Sequence, residues 1–219
     1  MKAFVTGGSR GIGRAVADAL IARGDEVVIG SRRQGDVGDD PAALVDRAAG
    51  ELGGLDVFVN CAVEPIRRQI LEVTANDFDR TMRINARPFV LGSIAAARHM
   101  TAGGRIVAVS STGTHRVRNR AYAPLALAKG AVEAAVRFLA VELAAREITV
   151  NAVAPGPTNT EAFEAMADDG LRERLTAATP MGRMGEPADA ARLIAWLCSP
   201  EAGWVTGQLI FSDGGYLLA

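Results

Sequence analysis

Hydrophobic residues change their spacing repeatedly along the chain. Short apolar runs alternate with longer segments in which apolar residues recur every three or four positions. The runs are typical of buried parallel strands, and the longer segments are typical of helices with one buried face. Six runs stand out, at 2–5, 26–30, 55–60, 105–109, 148–153 and 208–211. This alternation predicts an α/β fold with a doubly wound parallel sheet of about six strands, flanked by helices, as one domain over 1–219.

A glycine-rich turn follows the first run. It reads Thr6-Gly7-Gly8-Ser9-Arg10-Gly11-Ile12-Gly13 and opens a helical pattern that continues through Val16 and Leu20. Strand, glycine turn and helix form the first half of a Rossmann-type dinucleotide-binding unit. Glycines let the backbone approach a diphosphate, and the helix N-terminus offers it free N–H groups. Other tight turns use the same residues, but the flanking elements favour cofactor contacts from Gly7, Ser9, Arg10, Gly11, Ile12 and Gly13.

The residues after the second run indicate which cofactor binds. In this fold they lie beside the adenine ribose, where an acidic side chain would bind the hydroxyls of NAD. Here the chain has Ser31, Arg32 and Arg33 instead. Guanidinium groups suit a phosphate because their donors are planar and always charged. Arg32, Arg33 and Arg10 are placed to meet a 2′-phosphate and therefore favour NADP(H) over NAD(H), with Ser31 and Arg32 as cofactor contacts. A solvated basic loop is the alternative.

The connection after the second run is unusually short. Asp40-Pro41 reads as an N-cap followed by a proline in the first helical turn, only ten residues after Gly30. A full doubly wound half would place another helix and strand between them, and there is no room for either. We therefore expect one helix–strand unit to be missing, the second strand to lie at the edge of the sheet, and the wall around the adenine to be thin.

Composition excludes several classes of partner. The formal net charge of −1 gives no reason to expect a nucleic-acid partner, and no apolar run is long enough to cross a membrane. Cys61 and Cys198 lie in separate apolar segments and are expected to be buried free thiols of a cytoplasmic protein. His99 and His115 lack the spacing of metal ligands, so we expect structural or surface histidines and no metal site.

The segment at 157–182 is polar and mixed, with weak helical patterns at 160–166 and 171–178. It follows the carboxyl end of a predicted strand, where ligands bind in doubly wound sheets. We therefore interpret it as a mobile substrate lid. Its apolar side chains and one just beyond it, Phe163, Met166, Met181 and Met184, are able to line an acyl chain, although such residues pack lids of every kind.

Several motifs together resemble the short-chain dehydrogenase/reductase family over essentially the whole chain. They are the 6–13 turn, Asn60-Cys61-Ala62, Asn85, Ser110-Ser111, Lys129, the 151–156 segment and Asp213-Gly214-Gly215. The missing helix–strand unit and Val63, where the family usually has glycine, are departures. The resemblance implies cofactor contacts from Asn60, Ala62, Lys129, Pro155, Gly156 and Thr158. It also implies a homodimer or homotetramer formed through the helices at 75–100 and 129–145. Thr74, with Asp77 three residues on, predicts the start of one long helix that continues to about Met100, with Asn85 in its middle.

The active-site tyrosine departs from the usual pattern of this family. The family has Tyr-x-x-x-Lys, but Leu125 occupies that position, and the nearby tyrosine is Tyr122, seven residues before Lys129. This Tyr-x6-Lys spacing resembles the NADPH-dependent enoyl-ACP reductase III type. Seven residues are about two helical turns, so the two side chains share a face about 10 Å apart along the axis. Pro124 makes a regular helix starting at Tyr122 unfavourable, which predicts a tyrosine in the preceding loop.

The resemblance also implies catalytic roles. Tyr122 donates to a substrate oxygen, Lys129 binds the nicotinamide ribose and favours ionisation of the tyrosine, and Ser111 is a second donor. Asn85 holds the lysine and a water. Each has a plainer alternative: a surface tyrosine, an ordinary helix lysine, a serine capping a strand end, and an asparagine bonded to backbone.

Three functions follow from these residues. The first is NADPH-dependent reduction of an enoyl thioester carried on acyl carrier protein or CoA. The second is a ketoreductase or alcohol dehydrogenase in which Tyr122 is the general acid. The third is a regulator that binds NADP(H) without turnover, to which the shortened connection gives some weight.

Overall fold

The computed structural model describes residues 1–30, 37–165 and 167–219. Its centre is a six-stranded parallel sheet with the order β2-β1-β3-β4-β5-β6. The strands are β1 (Lys2–Thr6), β2 (Glu26–Gly30), β3 (Val57–Asn60), β4 (Arg105–Val109), β5 (Thr149–Pro155) and β6 (Leu209–Ser212). All six predicted strands are present, and the doubly wound α/β fold is confirmed.

Helices cover both faces of the sheet. They are α1 (Gly11–Ala22), α2 (Pro41–Leu52), α3 (Ala75–Asn85), α4 (Arg87–His99), α5 (Ala123–Leu143), α6 (Glu161–Glu164), α7 (Asp169–Ala177) and α8 (Pro187–Leu197). Alternate strand residues point to opposite faces. Phe4, Phe58 and Ile106 pack with residues of α2, α4 and α5, whereas Val5, Val59 and Val107 pack with residues of α1 and α8. Each face therefore has its own hydrophobic core.

The short connection has the predicted effect on the sheet. Strand β2 lies at one edge, and its three central residues, Val27, Val28 and Ile29, are only partly buried. The next helix in the described residues is α2, where the Asp40 side chain accepts a hydrogen bond from Ala43 N at 3.0 Å. No strand of the described residues lies beyond β2, as expected for a chain that lacks one helix–strand unit.

The prediction of one long helix from Thr74 to about Met100 is wrong. Two helices occupy this region, and Ala86 ends α3 and begins α4. Pro88 explains the break, because a proline nitrogen has no hydrogen to donate to the carbonyl of Ile84 and its ring clashes with the preceding turn. Asn85, expected in the middle of a helix, is instead the last residue of α3.

The segment after β5 contains the two short helices α6 and α7, close to the predicted helical patterns. No helix among the described residues is long and apolar enough to cross a membrane.

Candidate active site

At the start of α1, the glycines of the turn leave the backbone without Cβ atoms. Gly7 has φ +67°, and a Cβ atom added there would lie 2.8 Å from the Ala62 backbone. A Cβ on Gly13 would lie 2.3 Å from the Gly7 carbonyl oxygen, so the helix packs directly on the turn. Arg10, the N-cap residue, makes no side-chain hydrogen bond to the first turn, which contains no acidic residue. These features fit a bound diphosphate, because the N–H groups and the positive end of the helix dipole remain available to it.

The predicted contacts on neighbouring strands surround this turn. Asn60 is fully buried at the end of β3, and its Oδ1 accepts from Thr6 Oγ1 at 2.7 Å. Its Nδ2 donates to no atom of the described residues. The bond that Oδ1 accepts ties β1 to β3 just before the glycine turn, whereas Nδ2 is a buried donor. Ala62, two residues further on, is the backbone against which Gly7 packs.

The segment after β5 also packs near the glycine turn. A Cβ on Gly156 would lie 2.8 Å from Asp213 Cα, so this glycine packs on the turn after β6. Thr158 Oγ1 donates to the Gly156 carbonyl at 2.9 Å, which shapes the backbone just after Pro155. A second approach occurs at Gly11, where a Cβ would meet the Thr160 side chain at 3.5 Å. The start of α6 therefore borders the glycine turn.

Only some of the remaining predicted cofactor contacts lie within the described residues. Ser9 and Arg10 are exposed in the turn, and Ile12 is partly buried in α1. Ser31, Arg32 and Arg33 lie outside the described residues. The choice of NADP(H) depends on two of them, Arg32 and Arg33, together with Arg10.

Lys129 is a buried cation at the carboxyl edge of the sheet. It lies on α5, is 2% exposed, and its Nζ donates to the Val109 carbonyl oxygen at 2.6 Å. Burial lowers the Lys129 pKa to about 8, and the nearby Cys61 and Glu133 act in the opposite direction. Burial also raises the Cys61 pKa to about 12, so this thiol is a poor nucleophile. Lys129 Nζ therefore lies at the carboxyl end of β4, where we expect a nicotinamide ribose.

Ser111 and Asn85 are two further residues to which the resemblance gives catalytic roles. Ser111 follows β4, is partly buried, and its Oγ accepts from Gly113 N at 3.1 Å. Asn85 is fully buried, and its amide both accepts from Glu64 N and donates to Glu64 O, each at 2.9 Å. Asn85 thus fixes the backbone that follows β3. Its predicted contact with Lys129 is not among its hydrogen bonds in the described part of the chain.

Tyr122 precedes α5, as Pro124 predicts. It is the N-cap residue of the helix that begins at Ala123. Arg67 Nη2 donates to Tyr122 Oη at 3.0 Å, and the Arg67 guanidinium carbon is 5.4 Å from the ring centroid. Arg68 N also donates to the Ala121 carbonyl at 2.9 Å. Sequence reasoning missed Arg67, because nothing in its spacing connects it with a tyrosine 55 residues away.

A second group missed from the sequence is Glu133. It is 7% exposed on α5, and its carboxylate binds both Ser110 and His115. An acidic residue one turn after Lys129, next to the apolar position Val132, was the available signal. His115, expected to be structural or on the surface, is in fact part of a polar cluster beside the site. Among the described residues there is no group of side chains able to hold a metal ion.

Comparison with known proteins decides the family. A family model described as Enoyl-(Acyl carrier protein) reductase matches residues 33–217. The chain belongs to the short-chain dehydrogenase/reductase family. It is 35% identical to a versicolorin reductase of Emericella nidulans, over 97% of this chain and 94% of that protein. It is also 35% identical to the 1-cyclohexenylcarbonyl-CoA reductase of Streptomyces collinus, over 97% of this chain and 85% of that protein.

Solved structures of the family agree closely with this fold. The TT0495 protein from Thermus thermophilus superposes with a TM-score of 0.93 at 37% identity, covering 100% of this chain and 99% of that one. A short chain dehydrogenase from Burkholderia cenocepacia in complex with NADP gives a TM-score of 0.92 at 33% identity, covering 100% and 98%. The chain is thus an oxidoreductase of a family that binds nicotinamide cofactors.

The alignment with the versicolorin reductase also bears on the short connection. It spans 248 positions, more than the 219 residues of this chain. The relative therefore has residues that this chain lacks, in keeping with the absent helix–strand unit.

Proposed function

We propose that this oxidoreductase uses NADPH to reduce the 2,3 double bond of an enoyl thioester, carried on acyl carrier protein or CoA. The observation that carries the proposal is the position of Tyr122. It lies two helical turns before Lys129, outside the helix, with its oxygen bonded by Arg67. The relative from Streptomyces collinus supports it, because 1-cyclohexenylcarbonyl-CoA is by its name an α,β-unsaturated thioester.

The glycine turn would hold the cofactor diphosphate with the N–H groups of Gly11, Ile12 and Gly13 and with Ser9. Arg10, Ser31 and Arg32 would bind the 2′-phosphate, and Asn60, Pro155 and Thr158 would border the nucleoside and the nicotinamide. When bound, the reduced nicotinamide supplies the hydride that the β-carbon of the substrate accepts. Each of these roles for the chain's own residues is a proposal.

Tyr122 and Ser111 would act on the thioester oxygen. Negative charge develops on this oxygen as the β-carbon is reduced, and two oriented donors stabilise it. The bond from Arg67 uses the phenol oxygen as an acceptor, so it does not consume the phenol proton. Lys129 would bind the ribose hydroxyls, since its ammonium has three donors and the Val109 carbonyl takes one.

The segment at 157–182 would act as the substrate lid. Phe163 and Met184 are 8% and 3% exposed and pack inside, whereas Met181 is 74% exposed. Met181 is therefore the described side chain of this group that we assign to the acyl chain. Met166 lies outside the described residues.

We also propose a cytoplasmic homodimer or homotetramer formed through α4 and α5. The outer face of these helices carries Phe138 and Val141, exposed by 72% and 79%, with Leu91 and Ile94 exposed by 37% and 42%. Apolar side chains that share a face at such exposure are typical of an interface.

Substrate choice is tested by following NADPH oxidation with crotonyl-CoA and, separately, with acetoacetyl-CoA. We expect turnover of the crotonyl thioester and a loss of about 100-fold or more in Tyr122→Phe, which removes one oxyanion donor. Turnover of the keto substrate alone would make the protein a ketoreductase. NADPH binding without turnover of either would make it a regulator.

Cofactor choice is tested separately with Arg32→Ala. We expect the Kd for NADPH to rise about tenfold, as for the loss of one charge-assisted phosphate contact, while the Kd for NADH changes little. Equal effects on both cofactors would contradict the assignment.

A further inference from the structure

A buried carboxylate lies behind the loop that carries Ser111. Glu133 is on α5, one helical turn after Lys129. Its Oε1 accepts from Ser110 Oγ at 2.5 Å, and its Oε2 lies 2.9 Å from His115 Nε2. An ionised carboxylate only accepts hydrogen bonds, so both partners donate to it. One side chain of a 21-residue helix thus binds two residues of the same loop.

The two partners of Glu133 flank Ser111 along the chain. Between them the loop closes on itself, because Gly113 N donates to Ser111 Oγ at 3.1 Å and Thr114 N donates to Ser111 O at 3.2 Å. His115 is also fixed on its other side, where its ring meets Phe211 of β6 edge-on, with the ring centroids 5.0 Å apart. Both ends of the loop at 110–115 are therefore held in place, and Glu133 binds both of them.

The cluster of Ser110, Glu133 and His115 is not arranged as a catalytic nucleophile with its general base. In a hydrolytic triad the imidazole bonds to the serine hydroxyl and the carboxylate lies behind it. Here the carboxylate is in the middle, and the Ser110 proton is directed at Glu133. The arrangement is suited to holding a loop in place and does not activate an oxygen.

We propose that Glu133 is the positioning residue for Ser111. By binding Ser110 and His115, it sets the orientation in which the Ser111 hydroxyl donates to the substrate oxygen. This rests on the role that the proposed function gives to Ser111. It predicts an effect on the reduction step that passes through Ser111 and leaves cofactor binding unchanged.

The test compares Glu133→Gln in the wild-type and Ser111→Ala backgrounds, with crotonyl-CoA as the substrate. In the wild-type background we expect kcat to fall about tenfold. The glutamine amide keeps one oxygen acceptor, but its NH₂ group cannot accept the second hydrogen bond. The Kd for NADPH should stay within about twofold. In the Ser111→Ala background the same change should alter kcat by less than about twofold, because coupled residues are not additive. Glu142→Gln, at an exposed position of α5, is the matched control and should leave both kcat and the Kd for NADPH unchanged.

Two results would overturn the proposal. The first is an equal loss of kcat in both backgrounds, which would mean that Glu133 does not act through Ser111. The second is a weaker Kd for NADPH with a shifted pH profile, which would mean that Glu133 acts through the neighbouring Lys129.

Amide hydrogen exchange gives a readout that does not need turnover. In Glu133→Ala we expect faster exchange in peptides that cover 110–116, with protection elsewhere in β4 and α5 unchanged. If the wild type reduces no enoyl thioester, the proposed function fails, and hydrogen exchange still decides whether Glu133 holds the loop. Unchanged exchange at 110–116 would contradict the anchoring itself.

Discussion

Strand β4 has a buried cation at each end, and the two are held in different ways. At the amino end, Arg105 is 5% exposed, and its guanidinium donates to the carbonyl oxygens of Ser199, Gly103 and Gly104 at 3.0, 2.7 and 3.0 Å. At the carboxyl end, Lys129 is 2% exposed and donates to the carbonyl oxygen of Val109 at 2.6 Å. Burial lowers the pKa of both groups.

The difference is the one expected between a structural cation and a cation that binds a ligand. The Arg105 donors are taken up by backbone that converges from several loops, so this residue closes the amino end of the sheet. Lys129 has an ammonium with three donors, and Val109 is its hydrogen-bond acceptor in the described part of the chain. A buried charge with donors to spare is costly unless a ligand completes its shell, which is the expectation for a binding site.

The largest expected effect comes from Lys129→Met. We predict that kcat/KM falls roughly 1000-fold, because the ammonium donors proposed to bind the nicotinamide ribose are lost. The folded state should be about as stable as the wild type, since a buried charge is removed. Steady-state kinetics and urea unfolding measure the two quantities. A strongly destabilised variant would place Lys129 among the structural cations.

Arg105→Met is the matched change at the other end of β4. We predict a loss of about 2–4 kcal/mol in the free energy of unfolding, because several buried carbonyl groups lose their donor. For the protein that remains folded, kcat should stay within about twofold of the wild type, since Arg105 is at the edge opposite the site. A loss of kcat without a loss of stability would contradict the structural role assigned to Arg105.

A smaller effect is expected in the pH dependence of stability. With a Lys129 pKa of about 8 in the fold and an ordinary value of 10.5, the unfolded chain binds more protons between these two values. Stability from this group therefore rises with pH from about 8 to about 10.5, by up to about 1.4 kcal/mol per unit. The free energy of unfolding of the wild type, minus that of Lys129→Met, should increase over this window. A flat difference would contradict the lowered pKa.

The same pKa can be observed directly. Lys2 is the other lysine of the chain, so ¹³C-labelled lysine gives two side-chain signals. The Lys129 signal should titrate near pH 8, with Lys2 as the internal reference. Titration of Lys129 near its ordinary value would mean that its ammonium is solvated and not poised for a ligand.

Much of the fold was predictable because its signals are local. The alternation of runs defines the six strands, and the nine residues between Gly30 and Asp40 leave no room for another helix and strand. Pro124 likewise predicts the position of Tyr122 before α5. The break between α3 and α4 was missed although Pro88 signals it, because the apolar spacing continues across the proline.

The site was harder to predict because its contacts are distant in sequence. Arg67 reaches Tyr122 across 55 residues, and Ser110 reaches Glu133 across 23. The four carbonyl groups around Arg105, those of Gly103, Gly104, Glu147 and Ser199, come from three separate segments of the chain. Such pairings depend on how strand ends meet in three dimensions, and no periodicity encodes them. The family resemblance provided Lys129 and Ser111 but not the residues that hold them.

The most direct test of the central claim is a competition experiment. The protein is given NADPH deuterated at the transferred position, with equal amounts of crotonyl-CoA and acetoacetyl-CoA, and the products are analysed by mass spectrometry. We predict that deuterium appears in butyryl-CoA, at the former β-carbon of the enoyl thioester. Deuterium in 3-hydroxybutyryl-CoA, with unlabelled crotonyl-CoA recovered, would contradict enoyl reduction.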